Sequence, residues 1–337
     1  MIDEAEFNKI NTLFYIYRFE KIRNGYLFYL IPLADVESIK RFIAELSQKY
    51  DVKVGYDGGK YILELKKPKR DNLWVNFLLF IATIFTTTYV GSLFYPQPNL
   101  FGGLMFSTAI MSVLGSHEMG HYFAARRWKM KTSLPYFIPF PTIIGTMGAV
   151  IKHRGVIPNR KALFDVGVAG PIAGIFVSIL VVAIGLKIPY DLSGEPGIYI
   201  GAPLLFDVIV KLVGFEGEVI HPVAFAGWVG FFVTFLNMLP VGQLDGGHVA
   251  RAMFGKKAEI ISKSVPPLLI VLGLYLSVYS IPTGVWIIWG LITFFFALNP
   301  HPEPLDDITP IDKRRFLLGI VAFSLAILCF TPVPFYY

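Results

Sequence analysis

Two histidines four residues apart with a glutamate beside the first, His117-Glu118-Met119-Gly120-His121, are the residues of this 337-residue chain best arranged for chemistry. On a helix, positions i and i+4 share one face, so the two imidazoles can converge on a single zinc ion. Glu118 cannot aim at the same point, but it can reach water on that ion, which is the arrangement of a metal-assisted hydrolase. The competing reading is a solvated helix end with two incidental histidines. The stretch lies near the end of an apolar helix expected from about Gly103 to Trp128. Ionisable groups held inside a bilayer are costly and mark function by default.

Catalytic zinc usually takes three protein ligands and keeps one position open. Asp245 is the best third candidate, within Asn237-Met238-Leu239-Pro240-Val241-Gly242-Gln243-Leu244-Asp245-Gly246-Gly247. Pro240 and the glycines interrupt an apolar helix there and put the acid on irregular backbone, which at membrane depth normally lines a polar cavity. A turn aspartate is the alternative, since Asp-Gly-Gly is also turn chemistry; beside the two histidines, the ligand reading is favoured. His248 is expected on a solvated loop, or at most next to a ligand. His153 sits between Lys152 and Arg154, His221 on the opposite side, and His301 in a Pro-rich acidic connector, so all three are set aside.

The elements that must position these groups are apolar. The chain is 54% hydrophobic and 16% charged, against about 25% charged for a soluble domain, which excludes a soluble metallopeptidase. Seven apolar runs stand out: Leu73–Tyr95, Gly103–Ala125, Leu163–Ile188, Val223–Leu239, Pro266–Ser280, Pro282–Leu298 and Phe316–Pro334. Several reach the ~20 residues a spanning helix needs, so five to seven spans are expected, with six or seven preferred. The net charge of +6 collects beside these runs, at Lys66–Arg70, Arg126–Lys129, Arg160-Lys161, Lys256-Lys257 and Lys313–Arg315. That is juxtamembrane charge and not a nucleic-acid footprint; it places these loops and the amino terminus in the cytoplasm. Pro96–Phe101 and Pro189–Ile220, nearly free of Lys and Arg, fall on the other side. Cys329 is the single cysteine and has no disulfide partner within the chain. The start lacks the marks of a signal or transit peptide, and a prokaryotic (archaeal or bacterial) cell membrane is expected.

Residues 1–70 differ in kind. Asp35 can cap a helix running to Tyr50, whose Ile39, Phe42, Ile43 and Leu46 follow the i, i+3, i+4, i+7 pattern. Leu27–Leu33 reads as a strand, and Val52–Tyr56 and Lys60–Lys66 flank Asp57-Gly58-Gly59, a tight-hairpin signal. A small α+β cytosolic domain follows, with no His or Cys. It is expected either to bind a regulatory partner or simply to pack. Residues 71–337 are expected to form the polytopic membrane domain. Within it, Leu134–Ile151 is apolar yet broken by Pro135, Pro139, Pro141, Gly145 and Gly148, so it is not a straight span. Gly145, Thr146, Met147, Gly148 and Ala149 begin a stretch of strand character through Ile151. Such an edge could hold an extended peptide by strand addition, or could be a re-entrant loop that only packs.

Taken together, His117-Glu118-x-x-His121, Gly167-Val168-Ala169-Gly170-Pro171-Ile172-Ala173-Gly174, and Asn237-x-x-Pro240 leading to Leu244-Asp245-Gly246-Gly247 resemble the site-2 protease family of intramembrane zinc metallopeptidases. The likeness runs from about Leu73 to Gly255. It is strongest to archaeal, cyanobacterial and chloroplast members, which also carry a stretch like Ile157-Pro158-Asn159-Arg160-Lys161-Ala162; there is no room for the PDZ insertion of the bacterial envelope-stress branch. The resemblance implies an α-helical polytopic membrane protein with a membrane-associated β segment. It also implies one Zn2+ per chain on His117, His121 and Asp245, with Glu118 as the general base. Asn237 would face the site, and the strand at Gly145–Ile151 would clamp an unwound substrate. Gly170 and Gly174 are read as close helix packing. The implied partners are transmembrane protein or peptide substrates and the lipid bilayer, with no nucleic acid. The rival readings are a polytopic metal transporter and a non-catalytic family member.

Overall fold

The computed structural model describes residues 2–57, 59–68, 71–192, 199–279, 284–298 and 303–336. Its first part runs α1 (Glu4–Leu13), β1 (Phe14–Ile22), β2 (Gly25–Pro32), α2 (Val36–Lys49), β3 (Asp51–Asp57) and β4 (Lys60–Lys66). The strands form one antiparallel sheet in the order β1-β2-β4-β3. Asp35 caps α2 by accepting from the Glu37 and Ser38 amides at 3.0 Å, and Ile39, Phe42, Ile43 and Leu46 bury the expected stripe. They pack on Phe14, Phe28, Leu30, Leu63 and Leu65 of the sheet. Two residues from the rest of the chain, Val156 and Leu305, close the edge of this core. Lys40 Nζ reaches Asp306 Oδ1 at 3.1 Å beside them.

The second part is mainly helical: α3 (Leu73–Ser92), α4 (Leu100–Arg127), the short strands β5 (Lys131–Thr132), β6 (Tyr136–Pro139), β7 (Thr146–Val150) and β8 (His153–Arg154), then α5 (Arg160–Gly185). It continues through β9 (Tyr199–Ile200), α6 (Leu204–Val213), α7 (Pro222–Asn237), α8 (Asp245–Phe254), α9 (Ala258–Val278), α10 (Gly284–Leu298), α11 (Lys313–Leu328) and β10 (Phe335–Tyr336). Among the described residues, four helices are long and apolar enough to cross a membrane: α3, α4, α5 and the joined stretch α8–α9 (Asp245–Val278); α7 and α10 are apolar but shorter.

The polarity of α3 is reversed relative to a soluble helix. Thr83 and Thr87 point into the protein while Phe77, Ile81 and Phe85 point out, as expected where the surroundings are as apolar as the core. Thr87 Oγ1 meets Ser107 Oγ of α4 at 2.7 Å. The catalytic-looking helix α4 is wedged between α5 and α7, and small residues set the spacing. A Cβ on Gly120 would lie 2.5 Å from the Ala169 carbonyl oxygen, and one on Gly230 would lie 2.1 Å from Ser178 Oγ.

Leu134–Ile151 forms a hairpin, with β6 and β7 antiparallel through Tyr136↔Val150 and Phe137↔Ala149. It is fastened to α3 at both ends. Asn76 donates to the Leu134 and Pro135 carbonyls at 3.1 and 2.9 Å, and Thr86 donates to the Gly145 carbonyl at 2.7 Å. Gly145 has φ +77°, and a Cβ there would press on the Thr86 backbone.

Three expectations need correction. Asp245 does not lie on irregular backbone: the broken segment ends at Leu244, and Asp245 is the first residue of α8. His248 is likewise on that helix and half-buried, not on a solvated loop. The loop expected over Pro189–Ile220 contains the helix α6. The two glycines after Asp245 explain how α8 can start so close to the preceding turn, since a Cβ on Gly246 would sit 2.0 Å from the Met238 carbonyl oxygen. Backbone cannot yield as a side-chain tip can, so Gly246→Ala should destabilise the fold by about 3 kcal/mol, the upper end for overpacking. A thermal melt of the detergent-solubilised protein checks this; an unchanged midpoint would show the turn to be looser than described.

Candidate active site

Four helices meet at the site. α4 contributes His117, Glu118 and His121 from the same two turns, α7 ends at Asn237, α8 begins at Asp245, and α5 forms the back wall. His117 and His121 are 5% exposed and Glu118 9%, so three ionisable groups sit buried among apolar helices.

The donor atoms form a nearly equilateral triangle. His117 Nε2 is 3.1 Å from His121 Nε2 and 3.1 Å from Asp245 Oδ2, and His121 Nε2 is 3.3 Å from Asp245 Oδ2. Tetrahedral zinc with bonds of 2.0–2.1 Å has ligand–ligand edges of about 3.3 Å, so the three donors are spaced as three ligands of such an ion would be. Protonation logic agrees. His121 Nδ1 lies 2.7 Å from the Val166 carbonyl oxygen, an acceptor, so Nδ1 carries the proton and a neutral His121 ring has a bare lone pair on Nε2. With His117 and Asp245 it brings three atoms able to ligate a metal within 3.1–3.3 Å of one another. The residues present fit one zinc ion. Among the described residues, no other group of three His, Cys, Asp or Glu side chains is close enough to do so.

Val166 was not foreseen, because a backbone carbonyl leaves no trace in residue identity. Two glycines do more than the close helix packing expected of them. Gly170 and Gly174 lie opposite the ligands themselves: a Cβ on Gly170 would fall 2.1 Å from His121 Nε2, and one on Gly174 would fall 3.1 Å from His117 Nδ1. Their spacing therefore cuts the recess that the imidazoles occupy, in addition to allowing helix contact.

Asn237 Nδ2 stands 3.5 Å from His117 Nε2, at the rim of the triangle and too far for a firm hydrogen bond. The Glu118 carboxylate lies near the backbone amide of Ile151, just past the end of β7. Within that hairpin the five residues expected to hold substrate differ. Thr146 is buried and donates to the Ile138 carbonyl at 2.9 Å, so its side chain serves the hairpin. Met147 is exposed. Gly148 has φ +98° with open space where a Cβ would go. Gly145 is in the turn, and Ala149 pairs with Phe137. Of the histidines set aside, His221 is buried as the N-cap of α7, accepting from the Val223 amide, and His153 belongs to the β5–β8 ribbon. His301 lies outside the described residues.

Comparison with known proteins supplies the family. The family model "Peptidase family M50" matches residues 105–280, which contain every residue of the site. "Probable zinc metalloprotease EGY1, chloroplastic" of Oryza sativa subsp. japonica is 29% identical over 311 residues, 80% of this chain and 52% of the relative. The protein of the same name from Arabidopsis thaliana is 33% identical over 251 residues, covering 70% and 44%. "Probable zinc metallopeptidase EGY3, chloroplastic" of Arabidopsis thaliana is 30% identical over 291 residues, covering 76% and 48%. The chain spans about half the length of the curated relatives it matches. No solved structure matches it. The relatives are named as chloroplast proteins, at odds with the expectation of a prokaryotic cell membrane, while the apolar helices agree with an integral membrane setting. The chain belongs to peptidase family M50.

Proposed function

We propose that this chain is an intramembrane zinc metallopeptidase that hydrolyses peptide bonds within or near transmembrane segments, for regulated release of membrane-tethered proteins or clearance of signal peptides. The observation that carries the reading is the buried triangle of His117, His121 and Asp245, with Glu118 one residue from a ligand on the same helix. Zinc on these three side chains would supply Lewis acidity toward both water and the scissile carbonyl. Glu118 takes the proton of the attacking water and hands it to the leaving amine nitrogen, so the same carboxylate is base and then acid. Asn237 presents its amide N–H groups where negative charge grows on the carbonyl oxygen.

Substrate adds to β7 as a further strand. In support, β7 pairs with β6 along one edge only, and its continuation at Ile151 lies near Glu118, so a strand laid there runs past the base. The membrane domain, residues 71–337 with its core at 73–255, crosses the bilayer six or seven times through α3, α4, α5, α7, α8–α9, α10 and α11. The basic loops, the α+β domain of residues 1–70 and the nearer mouth of the site face the cytoplasm. His117 is nine residues from Arg126, about 13 Å along the helix, a short path for water.

A helical substrate hides its peptide bonds in internal hydrogen bonds and must unwind locally before it can add to a strand. With a model transmembrane peptide and the purified protein in micelles, fragment mass spectrometry should find a cut inside the apolar segment. Chelation should remove the activity and zinc should restore it. Replacing Gly, Asn or Pro residues of the peptide by Leu should slow the cut about tenfold or more, each 1.4 kcal/mol of helix stability being worth a factor of ten. A rate indifferent to helix strength would exclude unwinding. Zinc bound without any cut, but carried across vesicles, would favour transport.

A further inference from the structure

Arg160 opens α5 as the residue after its N-cap, Asn159, whose Oδ1 accepts from the Ala162 amide at 2.9 Å. It is 8% exposed. Among the described residues, its guanidinium pairs with no carboxylate. Nε donates to the Ala252 carbonyl at 2.9 Å and Nη2 to the Met253 carbonyl at 3.0 Å, both in the last turn of α8. These are carbonyls a helix leaves without internal donors, and a cation there also meets the negative end of the helix dipole. Gly255, at φ +59°, ends the helix; a Cβ on it would stand 3.5 Å from Arg160 Nη1.

One face of the following turns of α5 meets the centre. Val166 O holds His121 at 2.7 Å. One residue on, a Cβ at Gly167 would be 3.0 Å from His248 Cβ and 3.3 Å from the Asp245 carbonyl oxygen. The helix therefore touches one ligand directly and meets the helix of another at both of its ends. α8 has ten residues, about 15 Å, and behaves as a short rod with Asp245 on its first turn. Its far end runs on through Gly255–Lys257 into α9 and is held to Asp307 by Arg251 at 2.7 Å, while Arg160 ties that end to α5.

We infer that Arg160 is a positioning residue of the metal centre: it clamps the C-terminal end of α8 to the first turn of α5 and thereby fixes Asp245 against His121. This rests on the metal reading above. It also gives a purpose to the Pro158-Asn159-Arg160 stretch, which the chemistry of hydrolysis leaves unused. Arg315 offers a matched control, because it grips the same end of α5 through Asp165 at 2.7 and 2.8 Å but belongs to α11, which supplies no ligand.

The test uses the full chain in detergent, stripped of metal. Zinc affinity is measured by competition with a chelator, the ligand field by the visible absorption of the Co2+ form, and stability by melting the metal-free protein. Arg160→Gln should weaken zinc binding about 10–100-fold, the usual cost of losing support behind a ligand, and should alter the cobalt bands. Arg160→Lys, keeping the charge and one carbonyl contact, should fall between; it decides the matter alone if Arg160→Gln does not fold. Arg315→Gln should melt earlier than wild type while keeping wild-type affinity and spectrum. Wild-type zinc affinity in both Arg160 variants, or an equal loss in Arg315→Gln, overturns the assignment while leaving the metal site standing. Absence of zinc and cobalt binding by the wild-type protein removes the metal reading and this inference together.

Discussion

Glu118→Gln should lower peptide cleavage by about two to four orders of magnitude, the span of general-base catalysis, while the protein still carries one zinc. The two halves of that result come from different parts of the geometry. Glu118 is outside the donor triangle of His117, His121 and Asp245, so zinc does not need it. Glutamine has the same shape and can hold the same place among the helices, but its amide cannot take up a proton and pass it on. The measurement is fragment mass spectrometry on a transmembrane peptide, with metal content read on the same samples. Undiminished cleavage would remove Glu118 from the chemistry. Loss of zinc would make it a ligand, and the triangle would then be the wrong set.

Gly170→Ala should empty the metal site of a protein that still folds. The added methyl would lie 2.1 Å from His121 Nε2, so the imidazole must swing away from Asp245 and His117. What is displaced is the tip of a side chain, and α4 and α5 can keep their spacing, so the melting midpoint of the metal-free protein should barely move. Zinc affinity should fall by more than about 100-fold, since a first ligand is lost rather than an outer support. Gly174→Ala is the milder companion: its methyl would come no closer than 3.1 Å to His117 Nδ1, a contact a small ring shift relieves. Gly120→Ala should do the reverse of Gly170→Ala, because its methyl would meet the Ala169 carbonyl at 2.5 Å and force the helices apart. Zinc titration and thermal melting of the three variants separate these cases. Full zinc affinity in Gly170→Ala would mean that His121 does not occupy the recess described.

Which parts of this architecture were legible in the sequence follows from where the determinants reside. His117, Glu118 and His121 declare themselves because helical periodicity is short-range: once α4 is a helix, their common face is settled. Asp245 could be nominated from residue type and membrane depth. Its place at the head of α8 could not, since the glycines that read as loop punctuation are there to let a helix start against the Met238 carbonyl. The Val166 carbonyl is invisible by nature. In the α+β part, α2 and the β3–β4 hairpin followed from the apolar stripe and the Asp-Gly-Gly turn. β1 escaped because a bulge between Ile16 and Arg18 breaks the period-2 alternation that identifies a strand. The seven apolar runs fall on the helices α3, α4, α5, α7, α9, α10 and α11, whereas among the described residues four stretches, α3, α4, α5 and α8–α9, meet the length and hydropathy of a span, against the six or seven preferred from sequence.

The distance along the chain between the two ends of the metal triangle has a consequence for biosynthesis. His117 and Asp245 are 128 residues apart, and α5 and α7, which frame the site, lie between them. At roughly 5–20 residues per second, a ribosome finishes the two histidines many seconds before it reaches the aspartate. During that interval the chain has the two histidines and Glu118 but not the third member of the triangle. On the proposed function, cleavage would have to await the docking of α8, and the order of synthesis would then do the work that a removable propeptide does in secreted proteases.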